Sequence, residues 1–287
     1  MKISVFLHHI ACAARERGMT VDDMMAQARA WGIDYVELDR DDVGTTDEEI
    51  LALGSRLARH GLKPSSIYGF YGWDHDGALP REDDLLLRQA RLLGCGRIMI
   101  IPGFYSDVTD AEKCRQEKAQ MIAGTRRLTE LALRQGLDAT IECFDSGTSP
   151  IVTISGMAEF LEAIPQLGVT LETGNFLFSG DDILEAQQRF RPRVRHVHLK
   201  DRYLPHLAEG GAPAERLTGD PATGTTGVVM YPCAVGYGHI PMAAVLEELA
   251  CWGYDGIMTI EHFGAGSYWA AIRDSAAWLK EKLNACL

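Results

Sequence analysis

The feature that most constrains this chain is an alternation: short β-like apolar runs take turns with helix-like stretches from one end to the other. The runs are ISVFL (3–7), DYVEL (34–38), KPSSIY (63–68), RIMII (97–101), DATIEC (138–143), VTLET (169–173), RHVHL (195–199) and IMTIE (257–261). Between them the apolar period shifts toward that of a helix. TVDDMMAQARAWG opens with Thr20 and Asp23 at capping-box spacing and closes on Gly32. The device recurs with Thr46 and Glu49 before Gly61, and with Thr109 and Glu112 before Gly136. SGDDILEAQQRF, PMAAVLEELACWG and SYWAAIRDSAAWLKEKL read as later helices.

Strands separated by helices lie parallel and are joined by right-handed crossovers. A run of such units in 287 residues, without a break in composition, predicts an α/β chain folded as a single (β/α)8 TIM barrel over residues 1–287. A doubly wound open sheet is the alternative. HHIACAARERG, which follows the first run, lacks the glycines of a dinucleotide fingerprint and weakens it. Residues 203–238 break the rhythm with a stretch rich in Gly, Pro and Thr. A connection this long is expected to act as a lid loop over the mouth of the barrel, against the alternative of a plain surface insertion.

Composition narrows the partners. A net charge of −12 argues against nucleic acid, whose phosphates demand a basic surface. Seven scattered cysteines without C-x-x-C spacing suit a reducing compartment. His8 and His9 cut short the first apolar run, so the N-terminus does not read as a secretory signal. No apolar run approaches transmembrane length. The expectation is a soluble, cytoplasmic protein with a small-molecule partner, without nucleic acid or membrane. A homodimer is the default assembly.

The last four strands share a second pattern. Each carries a polar residue and, two positions later, a potential metal ligand: Thr140 and Glu142, Thr170 and Glu172, His196 and His198, Thr259 and Glu261. The alternate positions are mostly apolar, as packing against an outer helix ring requires. Parallel strands bring Glu142, Glu172, His198 and Glu261 to one mouth. Three buried carboxylates cannot all stay ionised without compensation, and a divalent cation supplies it. Oxygen-rich ligands with one imidazole favour Mn²⁺, with Mg²⁺, Co²⁺ or Zn²⁺ compatible. His196, one layer deeper, reads as a core residue or a support for the ligands.

At these residues the chain resembles the sugar phosphate isomerase/epimerase superfamily, the xylose isomerase-like barrels. The matching elements are IECF at Glu142, LETGNF from Glu172, HVHLKD from His198 to Asp201, VGYGHIP at 235–241 and TIEHF at Glu261. The resemblance implies one divalent metal held by Glu142, Glu172, His198 and Glu261. It also implies acid and base roles for Glu142 and Glu261 on either side of a substrate carbon. The second ligand is commonly aspartate in that family and is Glu172 here. Asn175 occupies a position where some relatives carry histidine.

The expected chemistry is isomerisation or epimerisation of a monosaccharide, cyclitol ketone or sugar phosphate, by proton abstraction next to a carbonyl and an enediolate. Asn175, Lys200, Arg202 and His8 are candidates for substrate contact, Lys200 at an oxyanion or a phosphate; Glu37 and His239 are weaker ones. Trp73, Phe70 and Phe104 are offered as platforms for a sugar face, or as packing of their own loops. An inosose-type dehydratase shares the opening step and is the alternative. A non-catalytic sugar-binding barrel is a further one. An apurinic endonuclease is disfavoured by the acidic charge and the lack of extra metal ligands.

Overall fold

The computed structural model describes residues 1–73, 79–208 and 211–285. Eight parallel strands close into a barrel: β1 (Lys2–Phe6), β2 (Tyr35–Asp39), β3 (Lys63–Phe70), β4 (Arg97–Ile101), β5 (Asp138–Ile141), β6 (Gly168–Glu172), β7 (Val194–Leu199) and β11 (Ile257–Ile260). β11 pairs with both β7 and β1, which completes the ring. The open-sheet alternative is excluded.

The outward residues of the strands, among them Val36, Leu38, Ile98, Ile141, Leu171, Val197 and Ile260, are fully buried beneath the surrounding helices. That burial is the main driving force for the architecture. The helices begin largely where capping chemistry dictates. Thr20 with Asp23, and Thr46 with Glu49, form reciprocal capping boxes at the starts of Val21–Ala30 and Asp47–Arg59. The third expected box is displaced by one residue. Asp107 takes both the hydroxyl and the amide of Thr109, so Thr109 belongs to the preceding turn. Asp110 instead caps Ala111–Arg134 by accepting from the amides of Glu112 and Lys113.

The barrel interior divides in two. On β5, β6, β7 and β11 it is polar, and the hydroxyls of Thr140 and Thr170 bond each other at 2.8 Å. On β1, β3 and β4 the upper interior is apolar, with Phe6, Tyr68, Met99 and Ile101 packed together. This asymmetry gives the mouth one wet wall and one dry wall.

Beyond β7 the chain forms a small antiparallel sheet from β8 (Asp201–Tyr203), β9 (Ala222–Thr223) and β10 (Val229–Cys233). The carboxylate of Asp201 organises the return of this excursion. It accepts from the amides of Gly236, Gly238 and Ile240 as well as Arg202. A Cβ at Gly238 would lie 2.1 Å from Asp201 Oδ1, so only glycine lets the loop approach. The HLKD and VGYGHIP segments are thus the two halves of one contact.

Candidate metal and substrate site

Each of the four ligand candidates lies at the C-terminal end of its strand, because parallel strands expose those ends at one face. Glu172 and His198 are paired across β6 and β7, and Thr259 pairs with His198 across β7 and β11. Glu142 and Glu261 follow directly after β5 and β11. All four side chains are buried.

Three of them converge. Glu142 Oε2, His198 Nδ1 and Glu261 Oε2 lie within 4.8 Å of one another. Nδ1 is 2.7 Å from the Glu142 oxygen and 3.2 Å from the Glu261 oxygen. Yet the three atoms are buried without a properly aligned hydrogen bond. Buried polar atoms are almost always paired, so three such atoms facing one point form a group that could hold an ion. Carboxylate oxygens and an imidazole nitrogen are suitable donors for a divalent ion, and the residues fit one.

The electrostatics agree. Burial pushes Glu142 up to about 7, against the opposing pull of the His198 imidazole. Burial likewise drives Glu172 well above the carboxylate range, and the charges of Glu261 and Glu142 add to it. Glu261 is shifted the other way: burial would raise it, but Lys200 and His198 hold it well below the carboxylate range, so it is Glu142 and Glu172 that resist ionising until a further cation joins them.

Glu172 behaves differently from the other three. Its side chain turns back on the LETGN turn, where Oε1 accepts from the amide of Gly174 at 2.9 Å and Oε2 from the amide of Asn175. It stands outside the converging trio. Gly174 permits the turn, since a Cβ there would lie 2.7 Å from the carbonyl of Lys200.

Glu142 and Glu261 line a cavity of about 450 Å³ at the barrel mouth, and His198, fully buried, contacts both of them. Lys200 and Arg202 enter from the polar side. The ammonium of Lys200 donates to Asn175 Oδ1 at 2.8 Å and pairs with Glu261 Oε1 at 2.9 Å and Asp145 Oδ2 at 3.2 Å. Burial acts to lower its pKa, but these carboxylates outweigh burial and the ammonium is retained. Arg202 Nη2 donates to the same Asp145 oxygen at 2.6 Å. Asn175 also donates to the carbonyl of Cys143, which locks its amide orientation.

His8 is exposed at the rim, stacked on Phe263 and in contact with Cys12. His239 is outside the cavity lining and accepts from the amide of Leu204. Phe70 lines the mouth, and Phe104 stacks beside it. Trp73 takes the packing role: it stacks on Tyr71 at 4.3 Å and presses against Gly124 of the long helix. The rest of its loop, 74–78, lies outside the described residues. Of the segment expected as a lid, Asp220 and Ala222 line the cavity, and Glu209 and Gly210 lie outside the described residues.

Two residues of this arrangement were not given their place by the sequence. Asp145 is one, in the loop after β5. Glu37 on β2 is the other in practice, since it carried only a weak substrate-contact expectation. Its Oε2 accepts from Nε2 of His198, Nε2 of His196 and the hydroxyl of Thr259. Burial pushes Glu37 up, but the facing imidazoles of His198 and His196 prevail and hold the carboxyl well below its usual range. The alternation in YVELD, which puts Glu37 on the face opposite Val36 and Leu38, was the available signal.

A family model for the xylose isomerase-like TIM barrel matches residues 25–282. Inosose dehydratase of Geobacillus thermodenitrificans (strain NG80-2) is 31% identical over 143 residues, which span 49% of this chain and 45% of that protein. The chain therefore matches about half the length of this curated relative. Among solved structures, D-psicose 3-epimerase with D-tagatose from Clostridium cellulolyticum H10 is similar with a TM-score of 0.70 and 16% identity, covering 99% of each chain. A xylose isomerase-like TIM barrel protein from Mycobacterium smegmatis, in complex with magnesium, gives a TM-score of 0.66 at 16% identity, covering 93% of this chain and 89% of that one. At these identities the structural likeness speaks for the fold.

Proposed function

The chain belongs to the xylose isomerase-like TIM barrel family, and on that premise we propose a divalent-metal-dependent isomerase or epimerase of monosaccharides, cyclitol ketones or their phosphates. The observation that carries this reading is the convergence of Glu142 Oε2, His198 Nδ1 and Glu261 Oε2, where Glu142 and Glu261 line the mouth cavity. In this reading Glu142, His198 and Glu261 hold the ion. Glu172 completes the set while it braces the LETGN turn. Mn²⁺ is our choice among the hard cations such a donor set accepts.

The bound ion supplies Lewis acidity and a template for a carbonyl and its neighbouring hydroxyl. The protein's own groups do the rest. Glu142 and Glu261 flank His198, so one takes the proton α to the carbonyl and the other returns a proton. Return to the opposite face of the same carbon gives an epimer; return to the adjacent carbon gives an isomer. Lys200 steadies the Glu261 carboxylate through its 2.9 Å contact. Phe6, Met99 and Ile101 line the apolar side, which keeps water from competing for the reacting proton. Of the described part of 203–238, Asp220 and Ala222 reach this mouth and would contribute to its cover, within a single barrel domain. The six described cysteines are free, and we place the protein in the cytoplasm. Among the described residues no helix is long and apolar enough to cross a membrane.

Dehydration is the second reading, favoured by the 31% identity with an inosose dehydratase. It shares the proton abstraction and then expels a β-hydroxyl. The test is to incubate Mn²⁺-loaded protein with ketohexoses and inososes in D₂O. Deuterium next to the carbonyl together with an interconverted sugar supports the isomerase or epimerase. A water-loss product from an inosose alone selects the dehydratase. Tight sugar binding with no exchange in any substrate contradicts both and leaves a binding protein.

A further inference from the structure

We propose that Asp145 makes this mouth selective for an uncharged substrate, by occupying in advance both of the buried cations that would otherwise hold an anion. The kind of ligand rests on the functional reading above; its charge rests on the geometry of this chain.

Lys200 and Arg202 are the two cations among the described residues lining the cavity, with side chains 5% and 4% exposed. Buried cations at a ligand cavity are normally anion receptors. Lys200 is fully engaged, and Arg202 is engaged through Nη2, while its Nε is buried without a partner. An ammonium has three protons, and that of Lys200 faces three acceptors: Asn175, Glu261 and Asp145. One oxygen of Asp145 bridges Lys200 at 3.2 Å and Arg202 at 2.6 Å. A phosphate or carboxylate could take the Lys200 ammonium or Arg202 Nη2 only by displacing Asp145, a half-buried carboxylate that would lose both of its cationic partners.

The rest of the cavity offers an anion nothing. Five acidic side chains line it against two cations, so even one divalent ion leaves no excess of positive charge. The opposite wall of Phe6, Phe70, Met99, Ile101 and Phe144 cannot solvate charge. It can accept the C–H face of a polyol ring while hydroxyls turn toward Asn175 and the glutamates. The net charge of −12 adds a repulsive approach for anions. An uncharged polyhydroxy ketone fits both walls; its phosphate ester fits neither.

The test uses isothermal titration of metal-loaded wild type and Asp145→Asn at constant ionic strength. The ligands are a free ketohexose, a free inosose, the phosphate ester of the ketohexose, and inorganic sulfate. Sulfate is a tetrahedral dianion, and any contact it makes with the ion itself is common to both proteins. In wild type the free sugars bind at least about tenfold tighter than the ester, and sulfate binds weakly. In Asp145→Asn sulfate gains on the order of tenfold, and the ester closes its gap. The proposal is overturned if wild type prefers the ester over the free sugar, or if sulfate binds the two proteins alike. Should no sugar bind either protein while sulfate still distinguishes them, the sugar reading falls and the role of Asp145 stands.

Discussion

Nε2 of His198 lies 3.0 Å from Oε2 of Glu37, a contact between residues 161 positions apart in the chain. The same oxygen receives Nε2 of His196 at 2.9 Å and the hydroxyl of Thr259 at 2.8 Å. Arg97 Nη1 lies 3.2 Å from Nδ1 of His196, and a guanidinium can only donate. His196 therefore accepts at Nδ1 and carries its proton on Nε2, toward Glu37. His198 likewise donates Nε2–H to Glu37; burial acts to lower its pKa, but Glu37 and Glu142 outweigh burial and hold it well above the usual imidazole value, so a divalent ion would have to displace the Nδ1 proton to use that nitrogen. A buried relay from Arg97 through His196 and Glu37 thus fixes the proton on Nε2 of His198 and leaves Nδ1 as the atom an ion would take.

Glu37→Gln tests this relay. An amide offers an acceptor and a donor where the wild type offers acceptors alone, so His198 loses its fixed tautomer. We expect Mn²⁺ affinity, measured by competition with a chromophoric chelator, to fall by about 10- to 100-fold. The ¹⁵N shifts of the His198 ring should show the tautomers redistributed. Unchanged affinity and shifts would mean that Glu37 serves packing alone.

Glu172 should separate from the trio on mutation. Both of its oxygens accept backbone amides of the LETGN turn. Glu172→Gln sets an NH₂ against one of those amides and should cost about 1–3 kcal/mol in denaturant unfolding of the metal-free protein. Its Mn²⁺ affinity should drop less than that of Glu261→Gln. Loss of all metal binding with unaltered metal-free stability would instead make Glu172 chiefly a ligand.

The helix ring carries a pH-dependent clasp. Asp22 accepts from Arg56 at 3.1 and 2.9 Å and faces His60 at 2.7 Å, joining Val21–Ala30 to Asp47–Arg59. Hydrogen bonds from Arg56, then His60, lower its pKa from 3.8 to about 2. A depressed carboxylate stabilises the fold above its ordinary pKa, and that contribution disappears as pH falls through the folded value. Asp22→Asn should therefore have a lower Tm than wild type at pH 6 and a nearly equal one at pH 2. A Tm difference that stays constant across this range would contradict the assignment.

The barrel and the four strand ends were legible because both are matters of period. Alternation along DATIEC, VTLET, RHVHL and IMTIE carries the ligand candidates to one face, and parallel pairing carries them to one mouth. Residues placed by closure of the ring were harder to see. Glu37 shows the same inward alternation, but it meets His198 only because β11 and β1 pair and bring β2 within reach across the interior. Asp145 lies in a loop, where no period exists to report which way a side chain turns. The curl of Glu172 depends on two backbone amides downstream of it, which motif spacing does not encode. The cap at Asp110 was missed for a related reason: Thr109 was already engaged by Asp107.

On the proposed function, Glu142, His198 and Glu261 hold one divalent ion. The most direct measurement is metal content by ICP-MS after incubation with Mn²⁺ and gel filtration, on wild type beside Glu261→Gln, which keeps the side chain's shape. Wild type should hold close to one equivalent, with a Tm that rises on loading and falls with chelator, and the variant should hold strongly reduced metal. Wild type that takes up no Mn²⁺, Co²⁺ or Zn²⁺, or a variant that retains the full equivalent, would contradict it.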